Sequence, residues 1–128
     1  ITPAERDAAY LELEKKYRPY LSFDGIPYLE KGTRWQYQTH IYETPFYYID
    51  YCLAQVVALE FLVLSQENYA EVLDRYLEHC KRGGLYPFGK LVKLAGLRSP
   101  FEKGALSEVA SSVETILASL RSAMNKEK

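Results

Sequence analysis

Residues Pro45 to Leu64 read PFYYIDYCLAQVVALEFLVL, and this run decides the fold because its period and composition specify one long helix. Pro45 suits a first helical turn, where no backbone donor is needed and a fixed φ starts the spiral. After the tyrosines only Asp50, Gln55 and Glu60 interrupt the apolar run. At 100° per residue, positions five apart fall about 140° from one another, so these three never gather into a solvent face. The expectation is a helix buried on most sides. A membrane span tolerates hardly any charge over roughly 20 residues, and Asp50 and Glu60 both lie inside this run, which argues for a core helix of a soluble protein.

Outward from that helix, the chain reads as further helices separated by turn residues. Thr2-Pro3-Ala4-Glu5 carries a capping-box start, with a helix expected to about Tyr17 and ended by Arg18-Pro19. Tyr20 to Gly32 contains Asp24-Gly25, Pro27 and Gly32 without a steady period and reads as an extended loop. Thr33 to Tyr42 is a short helix or an irregular approach, anchored by Trp35. Ser65 is a candidate cap for a helix over Gln66 to about Arg82, terminated by Gly83-Gly84. Leu85 to Leu97 holds a shorter helix stopped by Gly96, and Ser99-Pro100-Phe101-Glu102 forms a capped turn. A last helix from about Gly104 to Met124 places Leu106, Val109, Val113, Ile116, Leu117 and Leu120 on one stripe, leaving Asn125 to Lys128 as a frayed tail. No strand-like run competes, so the class is all-α, a multi-helix bundle, and the length of 128 residues fits a single helical domain over 1–128.

Composition excludes several functions. Sixteen basic against 17 acidic side chains leave a net charge of -1, with no electrostatic footprint for nucleic acid or for an anionic membrane surface. Two cysteines, Cys52 and Cys80, offer neither a disulfide framework nor a metal spacing. Cys52 reads as a small core residue, and a reducing cytoplasm is the expected compartment. His79-Cys80 is a poor metal pair, because neighbours on a helix point about 100° apart. The chain opens Ile1-Thr2-Pro3 without an initiator methionine, as a piece of a longer protein would.

Tyrosine is the exceptional residue, 12 of 18 aromatics. A phenol joins a large apolar body to one hydroxyl, a combination suited to peptide or sugar clefts and subunit contacts. Tyr47, Tyr51 and Gln55 share i, i+4, i+8 spacing with Tyr48 alongside, and His40 lies just before them. Imidazole and phenol can both donate hydrogen bonds to an oxyanion forming on an attacked carbonyl. The plainer reading is that these are tyrosines bonded to backbone carbonyls within a wet-edged core.

The string WQYQTHIYETPFYYIDYCLAQ at Trp35 to Gln55 closely resembles a late segment of the oligoendopeptidase F family of thimet-type zinc metallopeptidases. The TPAE opening, the loop with Tyr28 and Gly32, the Gly83-Gly84 turn and AGLRSPFEKGAL at Ala95 to Leu106 are similar to the same C-terminal region. The resemblance implies the C-terminal helical part of a larger zincin-like peptidase acting on oligopeptides. Zinc would be held by HExxH and a later glutamate, all outside this chain, so no metal ligand is expected here and the zinc-holding N-terminal catalytic portion is an expected partner. Carried over residue by residue, the resemblance makes His40, Tyr47 and Tyr51 the catalytic candidates that steady the tetrahedral intermediate. Tyr42 and Tyr48 become candidates for substrate binding. The fragment alone is expected to be inactive, and the apolar sides of the Pro45 to Leu64 helix are expected to promote self-association. The alternative is a stand-alone helical module whose tyrosine-rich groove binds a partner peptide.

Overall fold

A computed structural model describes residues 1–126 and contains seven α-helices, one 3₁₀ turn and, among the described residues, no strand. By its contacts the chain divides into two compact units, Ile1–Ile49 and Asp50 onward.

The first unit begins with α1 (Pro3–Tyr17). Its start is the expected capping box: Thr2 Oγ1 accepts from the Glu5 amide and Glu5 returns a carboxylate to the Thr2 amide at 2.6 Å. The inward stripe is Asp7, Tyr10, Leu11 and Glu14, while Leu13 and Tyr17 stay exposed. The expected Tyr20–Gly32 loop is interrupted by α2 (Pro27–Glu30), a single turn started by Pro27 at its first positions. Next come a 3₁₀ turn over Thr33–Tyr37 and α3 (Thr39–Glu43), two short spirals where one short helix or an irregular approach was expected.

Gly32 joins these pieces to α1. Its φ of +81° is left-handed, and a Cβ there would collide with the Asp7 carbonyl and come within 2.7 Å of the Leu11 Cβ. Only glycine permits that approach. Trp35 then fastens the 3₁₀ turn to α1, donating its indole N–H to Asp7 Oδ1 at 2.8 Å while the Arg6 guanidinium lies 5.5 Å from its ring. Glu14, buried in α1, meets Arg34 at 3.3 Å and Arg18 at 3.8 Å.

The second unit contains α4 (Ile49–Ser65), α5 (Tyr69–Lys81), α6 (Phe88–Leu94) and α7 (Ala105–Lys126). Its core is Val57, Phe61, Val72, Val92, Ala95 and Leu97, with Leu64 and Phe88 packed against it. Phe61 stands edge-on to Tyr76 at 5.4 Å. The junction after α6 is specified in detail. Gly96, at φ +67°, lets the Leu97 amide reach back to the Val92 carbonyl and its own amide reach Lys93, a Schellman motif. Arg75 of α5 caps the same end by donating to the Ala95 carbonyl at 2.8 Å and the Gly96 carbonyl at 3.0 Å.

Five expectations need correction. The long helix begins at Ile49 rather than Pro45, because residues 44–48 form a turn. It is also not buried on most sides: only Val57, Glu60 and Phe61 are buried, one stripe at i, i+3, i+4, so the chain covers a single face of a helix that is apolar nearly all round. Cys52 lies off that stripe and is exposed. Helix α5 starts at Tyr69 with Asn68 as its cap, since Ser65 turns its hydroxyl back to the Leu62 carbonyl. The expected tail is helical at Asn125 and Lys126, and Glu127 and Lys128 lie outside the described residues.

None of the described helices is long and apolar enough to cross a membrane.

Candidate functional site

The turn between α3 and α4 gathers the aromatic residues singled out in the sequence. Thr44 accepts from the Tyr47 amide at 3.2 Å, closing a four-residue turn with Pro45 second and Phe46 third. Phe46 has φ +68°, the one non-glycine residue with positive φ among the described residues. Proline second and a positive φ third are the pattern of a type II turn, whose third position normally holds glycine. Pro45 therefore starts a reversal, not a helix. A phenylalanine in this conformation is strained, and it is also 96% exposed.

The reversal changes the geometry of the site. Tyr47 and Tyr48 lie in the turn before α4 and not on the helix that carries Tyr51. Instead both rings come to His40 of α3. The Tyr48 ring centre is 4.8 Å from the imidazole at an interplanar angle of 58°, and the Tyr47 ring is 5.9 Å away and nearly parallel at 26°. Tyr42, two residues further along α3, pairs with Trp35 at 6.0 Å, which ties it to the anchored 3₁₀ turn. Tyr28 and Tyr37 make an edge-to-face pair at 6.1 Å, with the Tyr28 hydroxyl donating to Gln36 Oε1.

These aromatics are not sealed into a core. His40 is partly exposed, and Tyr42, Tyr47 and Tyr48 are each about half exposed. Tyr51, in the first turn of α4, belongs to the second unit and is also half exposed. The structure thus brings together His40, Tyr47 and Tyr48, and places Tyr42 beside Trp35. Phe46 was not singled out in the sequence; the Thr-Pro-Phe-Tyr run carries a turn signal at Pro45, but the helical reading of the following residues masks it.

Among the described residues, no three His, Cys, Asp or Glu side chains lie together as a metal ion would need. An imidazole flanked by phenols at an open surface can hydrogen-bond a peptide carbonyl and stack on apolar side chains.

No family model matches the chain, and no curated protein matches it. Two solved structures do. One, described as PZ peptidase A with an inhibitor, shares 50% identity over 92% of this chain with a TM-score of 0.84. The other, described as a putative oligoendopeptidase F, shares 46% identity over 93% of this chain with a TM-score of 0.85. In each case the chain spans 21% of the matched protein's length and matches the C-terminal portion of the larger peptidase.

Proposed function

The chain belongs to the oligoendopeptidase F family of peptidases, and on that premise we propose that it is the substrate-side part of a zinc-dependent endopeptidase that hydrolyses short peptides. The observation that carries the reading is identity of 46–50% sustained over more than nine-tenths of the chain, together with a shared fold. Zinc enters only through the family resemblance. The described residues do not fit as its holder, since they supply no ligand cluster.

What this chain supplies is donors and aromatic surface. As the carbon of a scissile peptide bond becomes tetrahedral, negative charge grows on its oxygen. Donors already aimed at that oxygen stabilise the transition state more than the substrate, which lowers the barrier. By the family resemblance we assign this role to His40 and to the hydroxyls of Tyr47 and Tyr51. The rings of Tyr47 and Tyr48 against the imidazole limit its rotation, so its N–H directions are fixed before substrate arrives. Tyr42 and Tyr48 hold the peptide by stacking and hydrogen bonding.

The test is a kinetic series in the longer enzyme. Tyr47→Phe, Tyr51→Phe and His40→Ala are each expected to lower kcat by about 10² to 10³ fold while KM changes little, because one donor to the developing charge is lost. A Phe variant with unchanged turnover reassigns that tyrosine to packing. The purified 128-residue chain is expected to leave a quenched oligopeptide uncut in the presence of zinc; cleavage would overturn the division of labour.

A further inference from the structure

The second unit contains a cavity that the peptidase reading does not use. It is about 270 Å³ in volume and lies among α4, the turn after α6 and α7. Val63, Leu64, Leu97 and Val109 give it apolar walls, and Glu60, Arg98, Glu108 and Ser112 bring polar groups to the same space. Mostly apolar walls with a few convergent polar groups are the usual make-up of a small-ligand site. The volume corresponds to roughly nine waters of liquid, enough for a ligand of a few carbon atoms.

Glu60 makes this more than a packing defect. The residue is only 7% exposed, and its Oε2 has no hydrogen-bond partner among the described residues. A buried carboxylate oxygen without a partner is costly to keep ionised. Burial accordingly raises the Glu60 carboxyl above the usual carboxylate range, while the backbone N–H and the charge of Arg98 pull it back.

The charges facing Glu60 come from two elements. Arg98 and Glu102 lie on the turn after α6, and Glu108 lies on α7. Arg98 cannot serve Glu60 fully, because its guanidinium already bonds Glu102 at 3.2 Å, Glu108 and the Lys103 carbonyl. Three carboxyl groups therefore depend on one guanidinium, and the most buried of the three, Glu60, keeps one oxygen, Oε2, without a hydrogen-bond partner among the described residues.

We propose that this cavity is a binding site for a small organic cation, an ammonium or guanidinium on a short aliphatic stem, whose charge pairs with Glu60 and whose carbons lie against Val63, Leu97 and Val109. The same chemistry can arrive as a free amine or as a lysine or arginine side chain of a polypeptide. The proposal is independent of the peptidase reading and stands if that reading fails.

Binding is followed by methyl and side-chain carboxyl NMR of the 128-residue chain titrated with n-butylammonium chloride, with n-butanol as neutral isostere and propionate as anion. At pH 7.5 the methyls of Val63, Leu97 and Val109 are expected to shift saturably with butylammonium, at least tenfold more tightly than with butanol, and propionate should leave them unmoved. Because the cation pairs with the ionised carboxyl, affinity should rise as pH increases through the Glu60 titration, and bound cation should move that titration to lower pH. Glu60→Gln should weaken butylammonium binding at least tenfold while leaving butanol binding unchanged. Equal affinity for butanol and butylammonium, or a Glu60 titration unmoved by the cation, overturns the proposal even if the Gln variant fails to fold. In the longer peptidase, a cavity closed to butylammonium with Glu60 ionised below the usual range identifies a polypeptide cation as the occupant. The same closed cavity with Glu60 still protonated at neutral pH counts against any cation there.

Discussion

The two units of this chain solve the same problem with different materials. The second unit buries aliphatic and aromatic side chains around Phe61, Val72 and Val92 and closes its turns with a Schellman motif and a capping arginine. The first buries only Glu14, Gly32 and Thr33, with no large apolar side chain among them. Its short spirals are held by an indole on Asp7, a guanidinium on Glu14, the Thr33 hydroxyl donating to the Tyr28 carbonyl, and a glycine where the backbone meets α1. The difference teaches that surface aromatics can be positioned without an apolar core, provided that polar groups and one steric exclusion fix the backbone around them.

The comparison can be broken or sharpened by substitution. The largest effect is expected in the second unit, where Phe61→Ala should cost about 3–5 kcal/mol from lost burial and the remaining cavity. Hydrogen exchange of the α5 and α6 amides is the check, and a loss under 1 kcal/mol would mean that the apolar cluster is not what holds this unit. In the first unit Gly32→Ala should cost about 2 kcal/mol or more, combining a left-handed φ with a collision against α1. If chemical denaturation shows Gly32→Ala to be neutral, the close approach to α1 is not what fixes the 3₁₀ turn. A smaller loss of about 1–2 kcal/mol is expected for Arg34→Met, which leaves buried Glu14 with only the longer Arg18 contact. Chemical denaturation is the check, and a loss indistinguishable from zero would remove the ion pair from the account.

Much of this fold is legible in the residues themselves. Thr2, Pro3 and Glu5 announce α1 because a capping box is a purely local arrangement, and Gly96 announces the end of α6 for the same reason. The misreadings share a cause. Pro45 suits either the first turn of a helix or the second position of a tight turn, and the sequence that follows is apolar enough to support the first. Ser65 and Asn68 are both good caps, and the choice falls to Asn68, whose Oδ1 accepts from the Glu71 amide and whose amide group donates to the Glu71 carboxylate. Cys52 reads as a core residue, yet enclosure depends on neighbours, and this chain supplies them along α4 for one stripe only. At the aromatic cluster, residue identities and the family resemblance name His40 and the tyrosines, but not the backbone reversal that sets Tyr47 and Tyr48 against the imidazole. That reversal depends on a single dihedral at Phe46, which no pattern of hydrophobicity encodes.

Phe46 also has a consequence for any attempt to make this protein sturdier. Glycine would relax the turn and, by the backbone alone, Phe46→Gly ought to raise the melting temperature. The same exchange would strip an almost wholly solvated benzyl group from the rim where the imidazole and phenols meet. Local ease and aromatic surface compete at one residue, and an engineer who optimises the first would erase the second.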